Sequence, residues 1–187
     1  MPDTEWPRYE VFKQDRPGRP HEAVGTIHAP DPEMALLNAR DVFVRRPECY
    51  NLWVVPQDQV LTMTRMEMEL NPNWADEAIP EDAPMRTFYV FTRQHHRRSM
   101  VAATHVGEIQ ARHHREALRK ALESGRFTDK PVYLWMIVPA DAVTSSGEED
   151  VEPMFAPAQD KRYRDQSYYG GLIFDKNALK RREREMG

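Results

Sequence analysis

Cysteine is almost missing from this chain: Cys49 is the sole one among 187 residues. That excludes an intramolecular disulfide and a thiolate metal cluster, and Cys49 is expected to pack near a helix end. Long apolar runs are missing too. No stretch approaches the roughly 20 residues of a membrane span, and Met1-Pro2-Asp3-Thr4-Glu5 lacks the basic and apolar regions of a signal peptide, so the expectation is a cytoplasmic protein without a membrane partner. Nor is positive charge in excess. With a formal net charge of −4 the chain has no global attraction to nucleic acid. Its 8 glycines form no dinucleotide-binding fingerprint, Walker loop or nucleophile elbow.

Catalytic constellations are equally scarce. No Glu is followed three residues later by His, so the repeated Glu-x-x-His signature of a carboxylate-bridged di-iron bundle is absent. The reversed pair His113-x-x-Glu116 stands alone and reads as a solvated helix face. The expectation is therefore no catalytic residue, no metal ligand and no cofactor in this chain.

What the chain does contain is itself, twice. Val24-Gly25-Thr26-Ile27 returns as Val106-Gly107-Glu108-Ile109, Ala35-Leu36 as Ala117-Leu118, Ala39 as Ala121, and Leu52-Trp53 as Leu134-Trp135, all at one offset. Val11-Phe12 corresponds to Val90-Phe91, and Val55-Pro56 to Val138-Pro139. The surviving matches are apolar residues and Gly, as two copies of one folding unit require, while polar positions have drifted. A repeat of roughly 55 to 60 residues is the dominant feature. So small a unit leaves much apolar surface uncovered, which predicts that the copies pack on one another as a pseudo-dimer within one chain.

Each copy reads strand, strand, helix, strand. Residues 6–14 alternate, with Tyr9 and Val11 on one face; residues 23–28 are β-branched; Asp31-Pro32 is a helix start, with Asp31 as cap and Pro32 at the first helical position. The helix to about Val44 places Ala35, Leu36, Ala39, Val42 and Phe43 on its core stripe. Gly25 and Gly107, at matched strand positions, signal a bulge or a close approach. The expected fold class is α+β: two fused strand-strand-helix-strand modules with antiparallel-rich sheets, pseudo-twofold related, plus an extended C-terminal tail. The expected divisions are a first module over residues 1–60, a surface linker rich in Met, acidic residues and Pro over 61–85, a diverged second module over 86–143, and a docking tail with a basic end over 144–187.

One family matches these residues. Trp6-Pro7-Arg8-Tyr9-Glu10-Val11-Phe12, Val24-Gly25-Thr26-Ile27-His28-Ala29-Pro30-Asp31, Glu33-Met34-Ala35-Leu36, Asn38-Ala39-Arg40-Asp41-Val42-Phe43, Arg45-Arg46 and Trp53-Val54-Val55-Pro56 resemble PaaB, the B subunit of the phenylacetyl-CoA monooxygenase (ring 1,2-epoxidase) of aerobic phenylacetate degradation. Phe155-Ala156-Pro157-Ala158-Gln159-Asp160-Lys161-Arg162-Tyr163-Arg164, with Tyr168-Tyr169 beyond, resembles that family's C-terminal tail. The duplication departs from the family's single module and suggests a built-in heterodimer. The resemblance implies a non-catalytic subunit that bridges the di-iron catalytic subunit and its structural relative, with the chemistry elsewhere.

Candidate partner contacts are Trp6, Tyr9, Phe155, Pro157, Lys161, Tyr163, Arg164, Tyr168 and Tyr169, because docking segments need aromatic anchors with polar or basic rims. The cluster His95, His96, Arg97 and Arg98 could instead meet the phosphates of a coenzyme A ester or an acidic partner. That supports the alternative reading, a stand-alone aryl-CoA or small-ligand-binding protein.

Overall fold

The computed structural model describes residues 6–44, 49–76, 83–95, 102–127 and 130–156. In chain order the elements are β1 (Arg8–Gln14), β2 (Glu22–His28), α1 (Pro32–Phe43), β3 (Asn51–Pro56), β4 (Leu61–Thr64), α2 (Arg65–Leu70), β5 (Arg86–Arg93), β6 (Thr104–Ala111), α3 (His114–Ser124), β7 (Leu134–Pro139) and β8 (Thr144–Ser145). A π-helical turn, Val151–Phe155, follows. The fold is α+β, with few helices on an antiparallel sheet.

All eight strands join one sheet in the order β4-β7-β5-β6-β2-β1-β3-β8, and every pairing is antiparallel. Within each half the second strand flanks the first on one side and the third on the other. The halves meet where β2 runs beside β6. This seam is short, with backbone bonds from Ala23 N to Ala103 O at 2.8 Å, Ala102 N to Ala23 O at 2.7 Å and His105 N to His21 O at 2.9 Å.

The outermost strands come from the opposite half. β4, which follows the first copy, pairs with β7 of the second from Leu61↔Ile137 to Thr64↔Leu134. β8, which follows the second copy, pairs with β3 of the first at Trp53↔Ser145 and Val54↔Thr144. Residues 61–64 thus form an edge strand, and Trp74 further along is buried in the core of the second half, where the sequence suggested a surface linker. Phe155 enters the core of the first half in the same manner. Each half donates an aromatic residue to the other.

The sheet is strongly folded. β1 and β5 lie three strand spacings apart, roughly 14 Å in a flat sheet, yet the rings of Phe12 and Phe91 have centroids 4.5 Å apart. Trp53 on β3 and Tyr89 on β5 are one spacing further apart in the order, and their rings stack at 4.9 Å. The two halves therefore turn toward each other about the β2–β6 seam. One face of the sheet closes over a shared core of Phe12, Ala23, Val55, Phe91, Met136 and Val138. On the other face α1 and α3 each cover a core of their own, built around Val11, Leu52 and Val54 under α1 and around Phe88, Val90 and Ile137 near α3.

Local rules place the elements. Asp31 accepts from Met34 N at 2.8 Å and Pro32 occupies the first helical turn, as the sequence predicts. α3 starts with a weaker cap, His113, and ends at Gly125 in the left-handed conformation. The one misplaced residue of the α1 stripe is Val42, which is 44% exposed. Phe43 packs over Gly25, turning the core stripe toward Leu36 and Phe43 and leaving Val42 at its margin.

The paired glycines serve both of the expected purposes. A bulge falls between Val11 and Phe12 opposite Gly25, and another between Val90 and Phe91 opposite Gly107. Gly107 has φ 154°, and a Cβ there would lie 2.8 Å from the Phe127 ring; at Gly25, with φ 143°, the Phe43 ring would be 3.0 Å away. Gly107→Ala should therefore destabilise the protein by about 1–3 kcal/mol, read as a lower urea midpoint, and Gly25→Ala somewhat less. A Gly107→Ala protein as stable as the parent would contradict this close packing.

Candidate functional site

The polar residues with the most constrained surroundings sit at the mouth of the seam. His21, at the end of the loop before β2, is buried and stacks on Trp53 with centroids 3.6 Å apart. Its Nε2 donates to Asn51 Oδ1 at 2.9 Å. His105, at the matching end of β6, packs edge-on to Tyr89 and donates from Nε2 to the Gly107 carbonyl at 3.0 Å. Burial favours the neutral form of both rings. Burial lowers the His21 pKa to about 4 against its one favourable hydrogen bond, and burial likewise lowers that of His105.

Asn51 joins this cluster to the segment arriving from the second half. Its Nδ2 donates to the Ser146 carbonyl at 2.6 Å, and Ser146 Oγ accepts from Leu52 N at 2.9 Å while Ser146 N bonds the Leu52 carbonyl at 2.9 Å. Tyr50 OH donates to Glu148 at 3.1 Å. On the other side, Arg65 N bonds the Tyr133 carbonyl at 3.0 Å, His114 contacts the Gln59 carbonyl at 2.7 Å, and the Arg115 guanidinium bonds the Trp74 carbonyl. These contacts fasten the exchanged segments. They offer no nucleophile paired with a base.

The sequence-predicted contacts separate into three groups. Trp6 is 58% exposed, at the start of the chain's described part, with its carbonyl bonded to His28 Nδ1 at 2.8 Å. Tyr9 and Phe155, expected at a partner interface, are 4% and 2% exposed and belong to the core of the first half. The reason is the sheet position of Tyr9 beneath α1 and the return of the chain that carries Phe155. His96, Arg97, Arg98, Pro157, Lys161, Tyr163, Arg164, Tyr168 and Tyr169 lie outside the described residues.

His95 lines a cavity of about 260 Å³ with Thr92, Arg93, Gln94, Ala102 and Thr104. Among the described residues Arg93 Nε is a buried polar atom with no bonding partner. The space is smaller than the roughly 300–1,000 Å³ that encloses drug-sized ligands. A larger hollow of about 440 Å³ lies beside Cys49, walled by Glu148, Glu149 and Glu152. Burial pushes the Cys49 thiol up to about 12, which leaves it inert. Among the described residues no three His, Cys, Asp or Glu side chains gather in a way that could hold a metal ion, and no helix is long and apolar enough to cross a membrane.

The model of the family described as PaaB, Phenylacetic acid degradation B, matches residues 5–79 and again residues 85–175. The chain belongs to this family. Two matches in one chain agree with the internal duplication, and each extends past the third strand of its copy into the segment that crosses to the other half. A similar curated protein is the B subunit of the 1,2-phenylacetyl-CoA epoxidase of Escherichia coli (strain K12), 44% identical over 61 residues. That alignment covers 33% of this chain and 64% of the relative, so the chain matches less than two thirds of that protein's length. No solved structure matches.

Sequence reasoning missed His21, Asn51 and Ser146. Their importance comes from a junction of two halves, and the only hint was the pair of polar residues flanking repeated apolar strands. The buried histidines have a measurable consequence. Because the folded pKa of His21 lies below that of the unfolded chain, near 6.5, the unfolded state binds more protons between these values. Stability is full above about pH 6.5 and falls as pH drops toward 4. Allowing for partial solvent screening, His21 should contribute a loss on the order of 1–2 kcal/mol between pH 7.5 and 5. In urea titrations His21→Gln should lower the pH 7.5 stability but flatten this acid-side slope, and an unchanged slope would contradict a neutral buried ring.

Proposed function

We propose that this chain is a structural, bridging subunit of a multicomponent di-iron epoxidase that acts on the ring of phenylacetyl-CoA in aerobic phenylacetate degradation, and that it contributes no catalytic residue or cofactor of its own. Family membership and the name of the curated relative supply the pathway and the complex. The observation that carries the bridging role is the exchange of β4 and β8 between halves, which turns two small units into one eight-stranded frame. A frame of this kind holds other subunits at fixed separation because neither half can rotate without breaking the other's edge pairing.

In this reading the two halves are related by a pseudo-twofold axis through the β2–β6 seam. Its partners are the di-iron catalytic subunit and the related structural subunit, and the assembly works in the cytoplasm. Trp6 is a proposed anchor on the partner side, since an exposed Trp beside a rigid strand buries much apolar area at small entropic cost. Pro157, Lys161, Tyr163, Arg164, Tyr168 and Tyr169 are proposed anchors of a docking segment.

Co-expression with the di-iron and structural subunits of the family should give a complex that survives low-salt purification and has one defined native mass, while the isolated chain carries no stoichiometric iron. Trp6→Ala should weaken that complex by about 1–3 kcal/mol without changing the folded chain's spectrum. Failure of the wild-type subunits to co-purify, or iron at full occupancy in the isolated chain, would overturn the assignment.

A further inference from the structure

The two outer helices, equivalent in the repeat, differ on the side turned away from the sheet. On α1 that side carries Met34, Leu37 and Val42, between 40% and 44% exposed. The matching positions on α3 are Glu116, Arg119 and Ser124. Glu116 is held by Lys120 at 2.8 Å and accepts from Arg112 N at 2.7 Å, while the Arg119 side chain is half exposed and pairs with Glu123. One copy has kept an apolar outer face where the other has a polar one, so the difference follows from something found on one side of the molecule only.

The chain itself has such an asymmetry. The segment after the first copy is used up in crossing the second half and returning to β5. The segment after the second copy crosses the first half, anchors through Phe155 in the core beneath α1, and then has 31 further residues from Pro157 to Gly187. Phe155 shares that core with Val44, the residue that caps the C-terminal end of α1, two positions from Val42. The tail therefore sets out from one end of the exposed stripe. α1 is about 18 Å long, a distance that six or so extended residues span.

The composition of the tail fits the surface it leaves from. It has Tyr163, Tyr168, Tyr169, Leu172, Ile173 and Phe174, and eight Lys and Arg against five Asp and Glu. The hollow at its exit is walled by Glu148, Glu149 and Glu152, and α1 adds Glu33 beside the stripe, Asp41 being paired with Arg40 at 3.1 Å. Lys161, Arg162 and Arg164 follow within eight residues of Ala156, close enough to reach those carboxylates, and the aromatic and aliphatic run comes next.

The geometry points to an intramolecular docking site: the outward face of α1, with Met34, Leu37 and Val42, is covered by this chain's own C-terminal segment between Tyr163 and Phe174. The docking needs no other subunit and so goes beyond the bridging role: the tail that the bridging reading offers to a partner lies, in the isolated chain, on the face of α1. It also gives the duplicated chain a second asymmetry, one helix sheathed and the other bare.

Thiol labelling of the isolated, full-length chain tests this, because the native Cys49 is buried and inert. With Leu37→Cys as reporter, a maleimide should react about tenfold more slowly in the full chain than in one ended after Ala156, as for a site covered most of the time. Arg119→Cys on α3 should react equally fast in both. If the shortened chain does not fold, the full-length protein with Tyr168→Ser, Tyr169→Ser and Phe174→Ser should expose Leu37→Cys in its place. Equal rates at Leu37→Cys with and without these tail residues would overturn the inference. So would protection that grows with protein concentration alongside a doubled mass, which would make a second copy the occupant. Since no partner subunit is present, either result leaves the co-purification test of the bridging role unaffected.

Discussion

Everything in this molecule depends on the closing of one sheet face over a core that neither half owns. Phe12 and Phe91 meet at the centre of that core, and Trp53 reaches across it to Tyr89. The seam of backbone bonds between β2 and β6 is too short to hold the halves by itself. It acts as a crease, and the apolar surface closing around it supplies the driving force, since large aromatic side chains bury the most area per residue. The exchange of β4 and β8 then fixes the folded arrangement by covering β7 and β3, which leaves the sheet with two short edge strands that are poor templates for unwanted pairing.

This constraint explains where polar groups could and could not be kept. At the mouth of the seam burial strips water from the histidines and so favours their neutral form, and each Nε2 has a partner in Asn51 or in the Gly107 carbonyl. Asn51, in turn, ties the incoming Ser145-Ser146 segment to β3. The bulges opposite Gly25 and Gly107 have a related origin. They add Val24 to β2 and Val106 to β6, which re-phases those strands, so that Ile27 points under α1 while Ala23, an even number of residues away, points into the shared core.

Much of this was legible in the sequence, and the boundary is physical. The repeat of Val24-Gly25 and Val106-Gly107 revealed the duplication because equivalent cores need equivalent apolar shapes, and Asp31-Pro32 marked a helix start through a local rule. Tyr9 was visible as a strand residue sharing a face with Val11, yet it was expected at a partner interface and lies in the core, because alternation says which face a side chain takes and not what covers that face. Leu61–Thr64 and Thr144–Ser145 were opaque for another reason. Short strands with mixed Thr, Leu, Met and Ser carry little pattern, and their partners lie some seventy or ninety residues away, so no local signal specifies the pairing. Trp74 and Phe155 were recognisable as aromatic residues in poor surroundings, without a hint that each fills the other half's core.

The central claim is that the two halves form a single folding unit. Hydrogen exchange measured along a urea titration, following peptides from β1 and from β5 separately, tests it most directly. The account predicts that both lose protection at one common midpoint, since neither half has a complete core alone. Two separate midpoints, with one half remaining protected while the other exchanges freely, would contradict it.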